Sequence, residues 1–294
     1  NGSENFKRGK QFGFFPSVSL GWIVSNESFF KVDAISKLKL RVSHGVVGND
    51  VLGIRFGFLN TINTDGQFYY FGDDQQKYSG MEESAIGNPD LTWEKAQKTD
   101  IGLDLGLFND RISLQVDFFR EKRSDILIQR ETVPNVTGIY PWCVPYGNLG
   151  KVENKGLDAL LELRNTTASG FFYSFRGNFT FARNKVIEND EPLPKYSYLS
   201  KKGLILGQYT GFVAEGLFKD QAEIEASPLQ TFGNPRPGDV RYKDINGDGK
   251  IDNGSNTLDD MGDLKKIGNN TPRFRTGITL DAQWKGFDFS MFWQ

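Results

Sequence analysis

The sequence predicts an all-β fold, an antiparallel transmembrane β-barrel segment with long extracellular loops. Apolar and polar residues alternate with period two along most of the 294 residues. The alternating runs are about 9–13 residues long, which suits tilted membrane-spanning strands better than the shorter strands of soluble proteins. Short and long connections also alternate, as expected for periplasmic turns at one end of a barrel and extracellular loops at the other.

The alternating runs, taken in chain order, predict about eight strands. They lie at 11–24, 37–48, 92–108, 111–128, 154–164, 171–184, 272–284 and 287–294. Asn109-Asp110 and Lys285-Gly286 form two-residue turns, and 165–170 forms another short turn. The connection 25–36 falls on the same short side of the alternation. The long connections lie at 49–91, 129–153 and 185–271.

The individual runs have one apolar face and one polar face. In the fourth run the apolar face contains Ile112, Leu114, Val116 and Phe118, and the sixth and seventh runs repeat the pattern. A soluble sandwich also alternates, so the direction of the apolar side chains separates the two folds. We expect Phe175, Phe179, Phe274 and Leu280 to face outward rather than a second sheet. Trp residues near run ends indicate an aromatic girdle at the membrane interface: Trp22, Trp93, Trp284 and Trp293.

Composition agrees with this fold and excludes several functions. Aromatic residues make up 14% of the chain although the mean hydropathy is −0.46, and a barrel with an apolar outside and a wet inside has both properties. The net charge of −2, without a basic block, gives no reason to expect a nucleic-acid partner. The sequence contains one Cys and one His, which excludes an intrachain disulfide and a His cluster for a metal.

Six short stretches, in order along the chain, resemble the SusC/RagA family of TonB-linked outer-membrane transporters. They are 15–22 (FPSVSLGW), 38–49 (LKLRVSHGVVGN), 88–95 (NPDLTWEK), 100–104 (DIGLD), 147–156 (GNLGKVENKG) and 237–244 (PGDVRYKD). The resemblance covers essentially residues 1–294 and implies the C-terminal part of a barrel of about 22 strands with a plugged lumen. The plug, the signal peptide and the final strands are expected to lie outside this chain.

The resemblance also implies a function and partners. We expect the barrel wall of a nutrient importer in the bacterial outer membrane, with no enzymatic activity. The family imports oligosaccharides or peptides, is covered by a SusD-like surface lipoprotein, and is energised by TonB through the N-terminal part. Outer-membrane lipid should surround the wall.

A candidate metal site lies in the third long connection. Asp244, Asn246, Asp248 and Asp252 supply oxygen ligands at positions 1, 3, 5 and 9 of a calcium-loop pattern, and Lys250 supplies a carbonyl at position 7. Position 12 is Ser255 rather than Glu, although Asp259 or Asp260 could replace it. The alternative is an Asx-rich turn that binds no metal. Calcium is the only cofactor that the sequence suggests.

Two aromatic loops are candidates for contact with a ligand or with the lipoprotein. One contains Tyr140, Trp142 and Tyr146, and the other contains Tyr69 and Tyr70. Aromatic faces stack on sugars and on peptides, but such loops also pack their own rings or join the interfacial girdle.

Two other classes of protein remain open at this point. A soluble, calcium-stabilised cell-surface β-sandwich would pack its Phe-rich faces together. An outer-membrane enzyme would require a convergent catalytic constellation, and the sequence shows no nucleophile elbow, phosphate-binding glycine loop or zinc spacing.

Overall fold

The computed structural model describes residues 1–51, 53–66, 68–192, 200–254 and 262–294. The chain forms two compact units. The first unit contains Asn1–Asp190 and Arg273–Gln294, and the second contains Glu191–Pro272.

The first unit is built on one antiparallel sheet of eight strands. These are β1 (Ser17–Ile23), β2 (Ile35–Asn49), β7 (Glu94–Leu107), β8 (Ile112–Gln129), β9 (Tyr146–Thr166), β10 (Phe172–Glu188), β17 (Phe274–Trp284) and β18 (Phe287–Trp293). They are hydrogen-bonded in the order β1-β2-β7-β8-β9-β10-β17-β18. Each strand therefore pairs with the next long strand in the chain, which is the up-and-down order of a membrane barrel. The prediction of eight antiparallel strands is confirmed.

The smaller elements lie in the connections. The first long connection contains β3 (Thr61–Asn63), β4 (Phe68–Phe71), β5 (Gln76–Ser79) and β6 (Glu82–Ala85). Short 3₁₀ helices lie at Val24–Asn26, Asn135–Thr137 and Pro141–Cys143.

Two strand boundaries differ from the prediction by more than four residues. β1 begins at Ser17 rather than at residue 11, because Pro16 has no N–H to donate to the neighbouring strand. The Pro16 carbonyl still accepts a hydrogen bond from the Val46 amide at 2.9 Å. β9 begins at Tyr146, eight residues before the predicted start at 154. Its first residues do not alternate apolar with polar, since Lys151 and Glu153 occupy the positions where the apolar side chains would fall.

Most of the large apolar side chains in the long strands share one face of the sheet, which we call the apolar face. Opposite neighbours in the register are Phe118, Leu157 and Phe181 on β8, β9 and β10. Phe118 is 59% exposed and Phe274 is 64% exposed. The other sheets within the described ranges have two strands each, so the predicted outward positions (Phe175, Phe179, Phe274 and Leu280) do not face a second large sheet. The sandwich alternative lacks the partner sheet that it requires.

The short turns have the backbone that tight hairpins need. Lys285 and Gly286 have φ values of 47° and 86°, as in the turn type that matches the twist of two antiparallel strands. Asn109 and Asp110 also have positive φ values, both 59°. The Ser36 hydroxyl donates to Asp110 Oδ1 at 2.7 Å, which ties this turn to the start of β2.

A small hydrophobic core lies at the loop end of the sheet. Phe6, Leu91 and Trp93 are buried together, and the Phe6 and Trp93 ring centroids are 5.3 Å apart. The prediction that Trp93 belongs to an interfacial girdle is wrong, because its indole packs inside this cluster. Trp22, Trp284 and Trp293 are all partly exposed.

The second unit has short elements. They are β11 (Gln208–Gly211), β12 (Ala214–Leu217), α1 (Gln221–Ala226), β13 (Leu229–Gln230), β14 (Val240–Tyr242), β15 (Lys250–Ile251) and β16 (Lys265–Asn269). Asp220 caps α1 by accepting from the Glu223 amide at 2.8 Å. None of the helices in the described ranges has the length and hydrophobicity that membrane-spanning helices need.

Candidate functional site

A pocket of about 370 Å³ lies between two of the loops at the long-loop end of the first unit. The first long connection contributes Tyr69, Glu82 and Glu83, and the loop after β8 contributes Tyr140 and Cys143. Residues from two predicted aromatic loops therefore meet at one pocket. Its lining combines two aromatic rings with two carboxylates, which can stack on a ring or a planar group and accept hydrogen bonds from hydroxyl, amide or ammonium donors.

The 3₁₀ helix Pro141–Cys143 holds the second wall of the pocket. The Cys143 amide donates to the Tyr140 carbonyl at 2.8 Å, and the Cys143 thiol donates to the Glu83 carbonyl at 2.9 Å. The Gln129 side-chain amide donates to the carbonyls of Pro141 at 2.6 Å and Val144 at 3.2 Å. These bonds connect the end of β8, the 3₁₀ helix and β6, so the pocket has a defined backbone frame.

Cys143 lies beneath the pocket as a buried thiol. It is 2% exposed. Burial raises the pKa of the Cys143 thiol above its ordinary value, and the nearby Glu83 and Glu82 carboxylates raise it further. The thiol therefore stays protonated and acts as a structural donor rather than a nucleophile.

The other predicted aromatic residues occupy different positions. Trp142 stacks on Tyr140, with ring centroids 4.5 Å apart and an angle of 10° between the planes. Tyr70 follows Tyr69 in β4 and so points to the opposite face of that hairpin. Tyr146 is the first residue of β9 and packs against the hydrophobic core. No local sequence pattern connects Glu82 and Glu83 with Tyr140, because the two long connections are distant in sequence.

The polar face of the sheet carries a network of paired charges. The Arg41 guanidinium lies 2.9 Å from Asp104 and 2.8 Å from Asp117. Gly102 stands between Arg41 and Asp117 in the register. A Cβ at Gly102 would lie 2.3 Å from Asp117 Oδ1 and 2.7 Å from Arg41 Cζ. Because glycine has no side chain, the Arg41 guanidinium can reach the Asp117 carboxylate across this position. A charged, hydrogen-bonded face opposite an apolar face is the arrangement of a wet barrel wall.

Asn148 joins two of the short stretches that carry the family resemblance. Its side-chain oxygen accepts from the Thr92 amide at 2.9 Å, and its Nδ2 donates to the carbonyls of Thr92 and Asp125, both at 2.7 Å. The nearby Asn88 side chain donates to the Tyr146 carbonyl at 2.8 Å. The stretches 88–95 and 147–156 therefore fasten the start of β7 to the start of β9 across β8.

The aspartate-rich loop of the second unit is closed by its own hydrogen bonds. Asp244 accepts from the amides of Gly247 at 2.6 Å and Gly249 at 2.9 Å. Buried Asp263 accepts from the amides of Ile245 and Asp252 at 2.6 Å and 3.0 Å. Within the described ranges, no three His, Cys, Asp or Glu side chains are grouped to hold a metal ion. Ser255, Asp259 and Asp260 lie outside those ranges. Calcium binding by Asn246, Asp248, Lys250 and their neighbours stays a prediction.

A sheet with an apolar outer face, a charged inner face, short turns at one end and long loops at the other defines an outer-membrane β-barrel protein. The family model for the "TonB dependent receptor-like, beta-barrel" matches residues 1–293. The chain therefore belongs to this family of outer-membrane receptor barrels.

Relatives with related names match the whole chain. The TonB-dependent receptor P3 of Formosa agariphila is 28% identical over 307 residues, a match that covers 100% of this chain and 29% of the relative. The TonB-dependent receptor SusC of Bacteroides thetaiotaomicron is 28% identical over 301 residues, covering 99% of this chain and 28% of the relative. The chain thus spans less than a third of the length of these relatives. The predicted resemblance to the SusC/RagA family is confirmed.

Solved structures show the same fold. The structure of the RagAB peptide transporter superposes with a TM-score of 0.70 at 22% identity, covering 98% of this chain and 30% of that chain. The RagAB peptide importer in the "closed-closed" state gives a TM-score of 0.71, again at 22% identity, covering 99% and 30%. At this identity the likeness establishes the fold alone.

Proposed function

We propose that this chain forms part of the barrel wall of an outer-membrane importer that takes up oligosaccharides or peptides. The single observation that carries the proposal is the eight-stranded sheet with one lipid-compatible face and one charged face. All backbone groups inside a membrane need partners, and closed barrels provide them. The relatives named SusC and RagAB support import as the activity, with a SusD-like lipoprotein at the extracellular mouth and TonB as the energy source.

The pocket between the two loops is the proposed contact for cargo or for the lipoprotein. It lies at the end that bears the long loops, which is the extracellular end of a bacterial barrel. Tyr69 and Tyr140 offer aromatic faces, while Glu82 and Glu83 offer acceptors. Sugars and peptides both present donors and flat apolar groups, so this lining suits either cargo.

The test compares two neighbouring tyrosines in the full-length receptor. Tyr69→Ala removes a pocket wall, whereas Tyr70→Ala removes an aromatic of similar exposure, 57% against 60%, on the other face of the hairpin. Both variants are expressed in a strain that lacks the wild-type receptor, and uptake of labelled oligosaccharide and peptide pools is measured with TonB present and absent.

We expect TonB-dependent uptake of one pool, reduced by Tyr69→Ala and retained by Tyr70→Ala. Co-purification of a surface lipoprotein is measured in the same strains. Uptake that is unchanged without TonB would refute the proposal that the receptor is a TonB-dependent importer. Equal effects of the two tyrosine variants would refute the role of the pocket while leaving the importer in place.

A further inference from the structure

A group of cationic side chains extends the apolar face toward the long-loop end. It contains Lys95 on β7, Arg120 and Lys122 on β8, Lys151 and Lys155 on β9, and Arg183 and Lys185 on β10, and we call it the cationic band. The register fixes its position. Arg120 is opposite Lys155, and Lys155 is opposite Arg183. These three residues lie two positions beyond Phe118, Leu157 and Phe181 on the same strands, so they share the apolar face with them.

The cationic band has more positive charge than its acidic neighbours neutralise. Arg120 pairs with Glu153, Lys95 with Asp125 at 3.2 Å, and Lys151 with Glu188 at 2.6 Å. Within the described part of the chain the remaining members form no ion pair: Lys122, Lys155, Arg183 and Lys185. All of the side chains in the band are exposed. The band therefore presents a net positive surface toward whatever surrounds the barrel.

The band continues the apolar face beyond its last large apolar residues, which is the level where lipid headgroups would meet a barrel wall. The apolar residues below it face hydrocarbon, where a lysine or arginine would be strongly disfavoured. Cations at the edge of such a belt can reach the interface while their aliphatic stems stay on apolar surface. The edge in question is the extracellular one, because β8 runs from the short turn after β7 toward the loop at 130–145.

A groove of about 330 Å³ lies within the band. Its lining includes Gln97, Arg120, Lys122, Lys151 and Glu153. Arginine can bind two oxygens of a phosphate through its planar guanidinium, and lysine binds phosphate as a compact point charge. Gln97 adds an amide donor. The groove can therefore accept an anionic oxygen cluster beside an apolar surface.

We propose that the cationic band binds the phosphate groups of a phosphorylated glycolipid headgroup in the outer leaflet. A membrane lipid, rather than free phosphate, fits the geometry because its acyl chains would lie along Phe118, Leu157 and Phe181 directly below. The inference rests on the outer-membrane location and is independent of which cargo is imported.

The test uses the full-length receptor purified in a non-ionic detergent. Binding is measured by native mass spectrometry with three probes: diphosphoryl lipid A, dephosphorylated lipid A and inorganic phosphate. The test variant is Lys122→Gln/Lys155→Gln/Arg183→Gln. The control variant, Lys31→Gln/Lys219→Gln/Lys243→Gln, removes the same charge from exposed positions outside the band.

We expect wild type and control to bind diphosphoryl lipid A, and the test variant to lose affinity by about tenfold or more. Dephosphorylated lipid A should bind the wild type as weakly as diphosphoryl lipid A binds the test variant. Equal binding of both lipids by the wild type, or displacement by inorganic phosphate at equal concentration, would overturn the proposal. These wild-type comparisons remain decisive even where the test variant fails to fold.

Discussion

Removing the Asn148 side chain should loosen the extracellular ends of β7 and β9. The side chain makes three hydrogen bonds to backbone groups, at 2.9, 2.7 and 2.7 Å. Each such bond contributes about 1 kcal/mol net, so Asn148→Ala should cost about 3 kcal/mol of unfolding free energy. Asn148→Asp should cost at least as much, because it replaces the donating amide with an oxygen that faces two carbonyls.

The assay is urea unfolding of the full-length receptor folded in detergent, combined with hydrogen exchange to locate the change. The matched control is Asn165→Ala on the same strand, whose side chain donates one exposed bond to the Tyr173 hydroxyl at 3.2 Å. We expect the control to cost less than about 1 kcal/mol. Faster exchange for Asn148→Ala should appear near residues 92 and 125. The reasoning is refuted if Asn148→Ala is no more destabilising than the control.

Further predictions concern the core, the thiol and the aspartate-rich loop. Trp93→Ala should cost about 3–5 kcal/mol in the same urea assay, because it leaves a cavity in a buried cluster; a loss below about 1 kcal/mol would contradict the packing. Alkylation of Cys143 by iodoacetamide should rise only above the usual pH range of a thiol, and Glu83→Gln should shift that rate profile to lower pH. Because the folded state favours the neutral thiol, Cys143 should contribute to the free energy of unfolding below the ordinary thiol pKa, and this contribution should be lost as the pH rises. An alkylation profile that is not shifted from that of a free thiol would contradict the raised pKa. Calcium should protect the loop 244–252 from protease, and Asp248→Asn should abolish that protection; equal cleavage with calcium and with chelator would support the Asx-rich turn.

The membrane-spanning part of the fold could be predicted from the sequence because hydrocarbon and water impose a strict alternation. Where the strands continue beyond the lipid, that constraint ends. Lys151 and Glu153, near the start of β9, lie on the face that carries leucines further along the strand. Apolar and polar residues therefore do not alternate there, and the sequence pattern does not show that the strand has begun. The strand extends there through its backbone ladder with β8.

The loops could be predicted only in part, since their contacts join residues distant in sequence. A tryptophan near a strand end is typical of an interfacial girdle, but Trp93 packs against Phe6, near the start of the chain. Tyr69 and Tyr140 were recognisable as candidates, while their meeting at one pocket with Glu82 depends on how two long connections fold together. No local pattern contains that information.

The unequal connections have a consequence for how this kind of wall can evolve. Tight hairpins such as the one at Lys285-Gly286 lock neighbouring strands into register from the periplasmic rim. Insertions at the opposite rim leave that register intact, because the strands are already aligned before the chain reaches it. New surfaces can therefore be acquired at the extracellular end by lengthening or exchanging loops, while the strands beneath keep their register.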